Sequence, residues 1–221
     1  MKSVEGIGYL RGLTAFECGK TELRTLPAEV KNLQNLTAIN LMKAYALTSL
    51  PPEIGKLKKL EFLRVDLTEL KALPPEIGGC ERLRVLNISN TRITRVPSEI
   101  GQLKNLAFLD IHGTAITAVP DSICRLTKLV ALDLGQTKLA ALPADIGALT
   151  ALERLDVFGC SLKKLPASVK KLNNLRYLNV FDNFTLAETY KTWFEEFVYM
   201  CTDDPENDEG YLEKWYYNEG I

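Results

Sequence analysis

The chain has 221 residues, 46% of them hydrophobic and 25% charged, the composition of a folded domain able to bury one sizeable core. No uncharged apolar run reaches the roughly 20 residues of a membrane-spanning helix, and the start, Met1-Lys2-Ser3-Val4-Glu5-Gly6, lacks the apolar stretch of a secretory signal, so a cytosolic protein without a membrane span is expected. The net charge of −1 conceals an acidic end, with 11 acidic and two basic residues from Asp182 onward (−9) against 25 basic and 17 acidic before it (+8); the Lys and Arg of the body are dispersed, which argues against nucleic-acid binding.

From the N-terminus, Ile7, Leu10, Leu13, Phe16, Cys18, Thr21 and Leu23 read as a degenerate first copy of a unit that then repeats along the chain. No separate N-terminal cap precedes it, which is compatible with a piece of a longer protein. The pairs Leu26-Pro27, Leu50-Pro51, Leu73-Pro74, Val96-Pro97, Val119-Pro120, Leu142-Pro143 and Leu165-Pro166 recur at a spacing of 24 once and 23 thereafter. Three apolar columns keep step with them, running from Val30 to Val169, from Leu33 to Leu172 and from Leu36 to Leu175. Each unit holds a segment of period two, such as Leu109-Asp110-Ile111, which predicts a short strand with one wet face. About ten residues later comes Leu/Val-Pro-x-Glu/Asp/Ser-Ile/Val, where proline opens a helical turn and the acidic or hydroxyl residue suits its positive end. A unit this short cannot bury its own apolar edge, so the copies must stack.

The run Leu83-x-x-Leu86-x-Ile88-x-x-Thr91-x-Ile93-x-x-Val96-Pro97-x-Glu99-Ile100-Gly101-x-Leu103 resembles the 23-residue leucine-rich repeat. It is similar to the intracellular Leu-Pro-x-x-Ile-Gly-x-Leu type of Ras-suppressor and Scribble-like scaffolds, plant Ras-group-related repeat proteins and bacterial repeat effectors. The resemblance implies an α/β fold: a leucine-rich-repeat solenoid over residues 1–186, with a curved parallel sheet on the concave face and short helical returns on the convex side. Where that family places asparagine, this chain has Thr21, Thr68, Thr91, Thr114, Thr137, then Cys160 and Asn183, side chains expected to satisfy backbone groups left by the tight turn after each strand. The one long repeat breaks register at Met42-Lys43-Ala44-Tyr45-Ala46, and its extra residue is expected to bulge from the stack.

Toward the C-terminus, residues 187–221 are expected to cap the stack. Thr185-x-x-Glu188 resembles a capping box, and Tyr190, Trp193, Phe194, Phe197, Val198 and Cys201 share one face of a predicted helix over 187–201. An acidic loop at 202–210 follows, in which Pro205 falls where a calcium loop needs its first ligand, and then an aromatic terminus expected to pack on the cap.

Function is sought on the outward face of the strands. A central column runs Glu17, Asn40, Arg64, Asn87, Asp110, Asp133, Asp156, Asn179, flanked by a column with Phe62, Phe108, Arg154 and Tyr177 and another with His112, Phe158 and Phe181. Exposed aromatics beside charges mark interface anchors. The candidate partner-binding residues are therefore Phe62, Arg64, Phe108, Asp110, His112, Arg154, Asp156, Phe158, Tyr177, Asn179 and Phe181. They form two neighbourhoods, one at Phe108, Asp110 and His112, the other from Arg154 to Phe181. No cofactor or metal is expected, since His112 is the single histidine and the five cysteines are scattered and read as reduced thiols. Catalysis is not expected either, because an open wet face does not desolvate paired carboxylates such as Asp110 and Asp133. The resemblance implies a module that binds a partner protein on its concave face, and it is expected to be non-catalytic and monomeric. The alternative is the recognition part of a larger enzyme or of a bacterial effector, of ubiquitin-ligase type for example, delivered into a host cytosol.

Overall fold

The computed structural model describes residues 2–184 and Leu186. The predicted capping helix, the acidic loop and the aromatic terminus lie outside the described residues. Eight three-residue strands, β1 (Ala15–Glu17), β2 (Ala38–Asn40), β3 (Phe62–Arg64), β4 (Val85–Asn87), β5 (Phe108–Asp110), β6 (Ala131–Asp133), β7 (Arg154–Asp156) and β8 (Tyr177–Asn179), form one parallel sheet in sequence order. The register follows the repeat, with Leu86 beside Leu109 and Asp110 beside Asp133. Among the described residues the sheet is open at both ends, and seven steps of about 4.8 Å give it a span of roughly 34 Å. The fold is a leucine-rich-repeat solenoid.

The inward leucines and isoleucines form one continuous core from Ile7 to Leu178. Leu10, read as an inward residue of the degenerate first unit, is instead exposed, just past the short return Ile7–Tyr9. The helical returns are 3-10 rather than α, for example Pro52–Lys56, Ser98–Gln102 and Ala167–Lys171. These three start from an extended proline whose carbonyl accepts the first hydrogen bond, as Pro97 O accepts from Ile100 N at 3.1 Å, whereas Ile146–Ala148 starts from Asp145. A tighter helix suits a coil that must return within one strand spacing.

The glycine after the isoleucine lets consecutive returns touch on the convex side, since a Cβ on Gly101 or Gly147 would collide with the carbonyl of Ser122 or Ser168. At the same register stands Cys124, and there a cleft of about 520 Å³ opens between Asp121–Arg125 and Ile146–Ala148.

The threonine ladder forms as expected. Thr68, Thr91, Thr114 and Thr137 each donate Oγ1 to the carbonyl three residues back, at 2.7–2.9 Å. Cys160 Sγ donates to Leu134 O at 3.2 Å, and Asn183 closes the ladder by donating to Val157 O and accepting from Leu162 N. Ala44 occupies this register in the long repeat and has no such group. There the extra residue lets the backbone substitute, with Ala44 N donating to Leu41 O and Leu47 N to Ala44 O. Tyr45 bulges outward, 57% exposed.

Candidate functional site

Strands of three residues present two outward side chains each, so the concave face is built from the ends of β1–β8 and the residues just beyond them. The central Asn/Asp column serves the backbone first. Asp110 Oδ1 accepts from His112 N at 3.0 Å, Asp133 Oδ1 from Gly135 N at 2.8 Å, Asp156 Oδ1 from Phe158 N at 2.9 Å and Asn179 Oδ1 from Phe181 N at 3.1 Å. Each carboxylate or amide thus caps the turn that ends its strand.

Three expectations are corrected here. Phe108, taken as an exposed anchor, is only 3% exposed. It packs with Val85 and Ala131 into a second apolar strip, with half-buried Phe62 alongside, because in-register neighbours on adjacent strands touch and Ala131 leaves room for the ring. Asp110 and Asp156, taken as exposed, are buried at 7% and 4% exposure by the side chains beside them. The face therefore does desolvate its acids: burial, with Asp133 adding repulsion, pushes the Asp110 carboxyl up to about 7 and that of Asp156 up to about 6. The His112 imidazole, 3.8 Å from Asp133, is also raised, chiefly by its bond to that carboxylate and against the effect of its own burial.

The remaining predicted residues fall into place as follows. Arg64 pairs with Asp66 at 3.2 Å and donates to Met42 Sδ. Arg154, Asp156, Phe158, Tyr177, Asn179 and Phe181 come together at the C-terminal end of the sheet. Arg154 lies 3.6 Å from the centre of the Tyr177 ring and 3.5 Å from Asp156 Oδ2. Asn179 Nδ2 and the Tyr177 hydroxyl also donate to that oxygen, at 3.2 and 3.4 Å. Phe158 and Phe181 stack at 6.3 Å with planes 7° apart, and Phe181 is 76% exposed.

Two members of the site were not among the candidate partner-binding residues. Asp133 completes a row of three carboxylates with Asp110 and Asp156 on adjacent strands, and Gly135 leaves the gap between His112 and Phe158 in its column. The signal was present in the Asp-x-Gly at the end of β6, where the neighbouring units carry Asp-x-His and Asp-x-Phe. Among the described residues, no three of His, Cys, Asp and Glu are placed to hold a metal ion, and no helix is long and apolar enough to cross a membrane.

A family model described as a leucine-rich repeat region matches residues 74–140. Among solved structures, the chain is similar to a leucine-rich-repeat protein of Leptospira interrogans, at 32% identity over 82% of this chain and 52% of that one, with a TM-score of 0.74. The functional domain of InlJ from Listeria monocytogenes shares the fold at 20% identity, covering 84% of this chain and 38% of that one, with a TM-score of 0.73. The plant peptide hormone receptor RGFR1, in complex with RGF2, aligns at 26% identity over 80% of this chain and 29% of that one, with a TM-score of 0.72. The chain thus spans about half the length of the Leptospira protein and less of the other two. No curated protein matches it. Repeat geometry, family-model match and structural neighbours together support a leucine-rich-repeat protein.

Proposed function

We propose that this chain is a non-catalytic interaction module that holds a partner protein on its concave face, at the C-terminal patch of Arg154, Phe158, Tyr177 and Phe181. The observation that carries the reading is the stacked Phe158–Phe181 pair beside Arg154 and Tyr177 on a rigid sheet, with one ring largely open to water. Solvent-facing rings next to a positioned arginine are the side chains that supply most of the energy at protein interfaces. The structural relatives include a receptor described in complex with another molecule, RGF2, which accords with a binding role. The proposal includes action as a monomer in a reducing compartment; the reduced thiols of Cys80, Cys124 and Cys160 support the compartment.

The test compares partners captured by the native chain with those captured by the Phe158→Ala/Tyr177→Ala/Phe181→Ala variant, both shown to be folded by circular dichroism. Loss of specific partners from the variant supports the reading. Recovery of the same set at the same yield overturns it.

A further inference from the structure

The flank of the sheet where the chain enters β3–β6 carries cations that the solenoid leaves without a counter-charge. Lys58, Lys59, Arg82, Arg84 and Lys128 stand there against two acids, Glu61 and Glu81. Glu81 is taken by Lys58 at 2.8 Å, and Glu61 lies 4.0 Å from Arg84. Lys59, Arg82 and Lys128 are exposed and pair with no carboxylate among the described residues. The two lysines are nevertheless held in place. Lys59 Nζ donates to Asn35 Oδ1 and Lys128 Nζ to Asn105 Oδ1, both at 2.8 Å. Each amide is anchored in turn on the preceding coil, Asn35 Nδ2 donating to Arg11 O at 3.2 Å and Asn105 Nδ2 to Glu81 O at 2.9 Å. A neutral acceptor fixes an ammonium group without cancelling its charge, so the flank is preorganised for an anionic ligand.

The shape of the flank agrees. A cleft of about 490 Å³ opens there, lined by Glu61, Arg82, Arg84, Asn105, Ala107 and Lys128. Beside it the second apolar strip reaches the surface, half-buried, at Phe62, Ala107 and Val130. Positive charge and an apolar edge thus adjoin. The opposite flank carries cations too, but its cleft is lined by threonines, glycines and Gln136 between Arg92 and Lys138, and Arg92 is bonded to Glu69. Nothing apolar larger than Ala115 lines that cleft.

The chain holds a segment of matching composition outside the described residues. Residues 203–209 contain five acids and no base, and Tyr211, Leu212, Trp215, Tyr216 and Tyr217 follow directly. We propose that this segment, 203–217, docks on the flank of its own solenoid, its acids along Arg82 and Lys128 and its rings over Ala107 and Val130. The tether is long enough. Asp203 follows Leu186 by 17 residues, which reach about 25 Å as a helix and about 56 Å extended. The three strand spacings from β8 back to β5 take about 14 Å, and the width of a three-residue strand about 10 Å. Tethering also gives the segment an effective concentration of about 1 mM, so contacts too weak for a separate ligand suffice. Docked there, the segment leaves the stacked Phe158 and Phe181 uncovered.

The experiment treats the full chain, at low micromolar concentration, with a water-soluble carbodiimide, which joins a lysine amine to a carboxylate in contact with it, and maps the products by mass spectrometry. Coupling of Lys58 to Glu81, which touch at 2.8 Å, is the internal control. Lys128 is expected to couple to one of the acids of 203–209 within a single chain, at a yield that dilution does not change. Arg82→Gln is expected to lower that yield about threefold or more; arginine itself is not coupled by the reagent, so the loss reports docking. Trp193 and Trp215 are the chain's two tryptophans, and in a Trp193→Phe background the emission of Trp215 is expected to shift to the red when Arg82→Gln and Lys128→Gln are both introduced. The control product without any product from Lys128 to the segment overturns the proposal and leaves the flank to an acidic segment of another protein. A yield that falls on dilution overturns it by assigning the segment to a second copy. Coupling chiefly to Lys138, Lys163 or Lys164 overturns it by placing the segment on the opposite flank. Indifference of both the yield and the Trp215 emission to these variants also overturns it. The products of the native chain need no substitution, so they decide even if a variant fails to fold.

Discussion

At the scale of single residues, every coil passes through a left-handed backbone position just after its strand. It is occupied in turn by Lys20, Lys43, Leu67, Asn90, Gly113, Gln136, Gly159 and Asp182. Asparagine and glycine take this conformation cheaply, whereas leucine does not, and Leu67 sits at φ 56° with its side chain 39% exposed. The strain is about 1–2 kcal/mol, against about 0.5–1 kcal/mol for the extra chain entropy that glycine loses on folding. Leu67→Gly is therefore expected to stabilise the chain by roughly 0.5–1 kcal/mol in urea unfolding, and a loss of stability would show that the Leu67 side chain packs better than its exposure implies. Nothing in the sequence marked this position, because a backbone angle set by stacking leaves no composition signal when lysine, leucine and glutamine all occupy it.

At the scale of the repeat, what could be read in advance was whatever recurs. The columns from Val30 to Val169 and from Leu33 to Leu172 gave the core, and the Leu-Asx-Ile phrases gave the strands with their outward column. What could not be read was how neighbours shade one another. Phe108 is outward by alternation, yet Val85 and Ala131 on the flanking strands cover it, and burial depends on both neighbours, not on the period. The same holds for Asp110 and Asp156, whose position was right and whose exposure was wrong. The glycine of the Ile-Gly phrase shows the same dependence on the next coil. Gly101→Ala would drive a Cβ into the Ser122 carbonyl, and forcing apart packed backbones is expected to cost about 1–3 kcal/mol. Cys124→Ala, at the same register but beside the open cleft, is expected to change stability by no more than about 0.5 kcal/mol. Thermal melts of the two variants decide: similar losses would mean that return-to-return contact does not limit this register.

At the scale of the whole molecule, the row of buried acids ties stability to pH with a definite sign. The folded-state carboxyls of Asp110 and Asp156 are raised above 3.8, their ordinary value, to about 7 and about 6. Between those limits the folded chain keeps protons that the unfolded chain has released, so stability is greatest below about pH 4 for these groups and falls as pH rises through their folded values. His112, raised as well, acts in the same direction at the upper end, because its stabilising charge is lost as pH rises through its folded value. The chain is therefore expected to melt higher at pH 5 than at pH 8. Asp133→Asn should flatten this dependence, since Asp133 is the neighbouring charge that raises both carboxyls, and the amide oxygen can still accept from Gly135 N. Above the folded value of His112, where its charge is lost, the substitution removes only repulsion, and the melting temperature should rise by about 2–4 °C for each kcal/mol relieved. Melting curves of the two proteins across this range that run parallel would show that the three carboxylates do not act on one another.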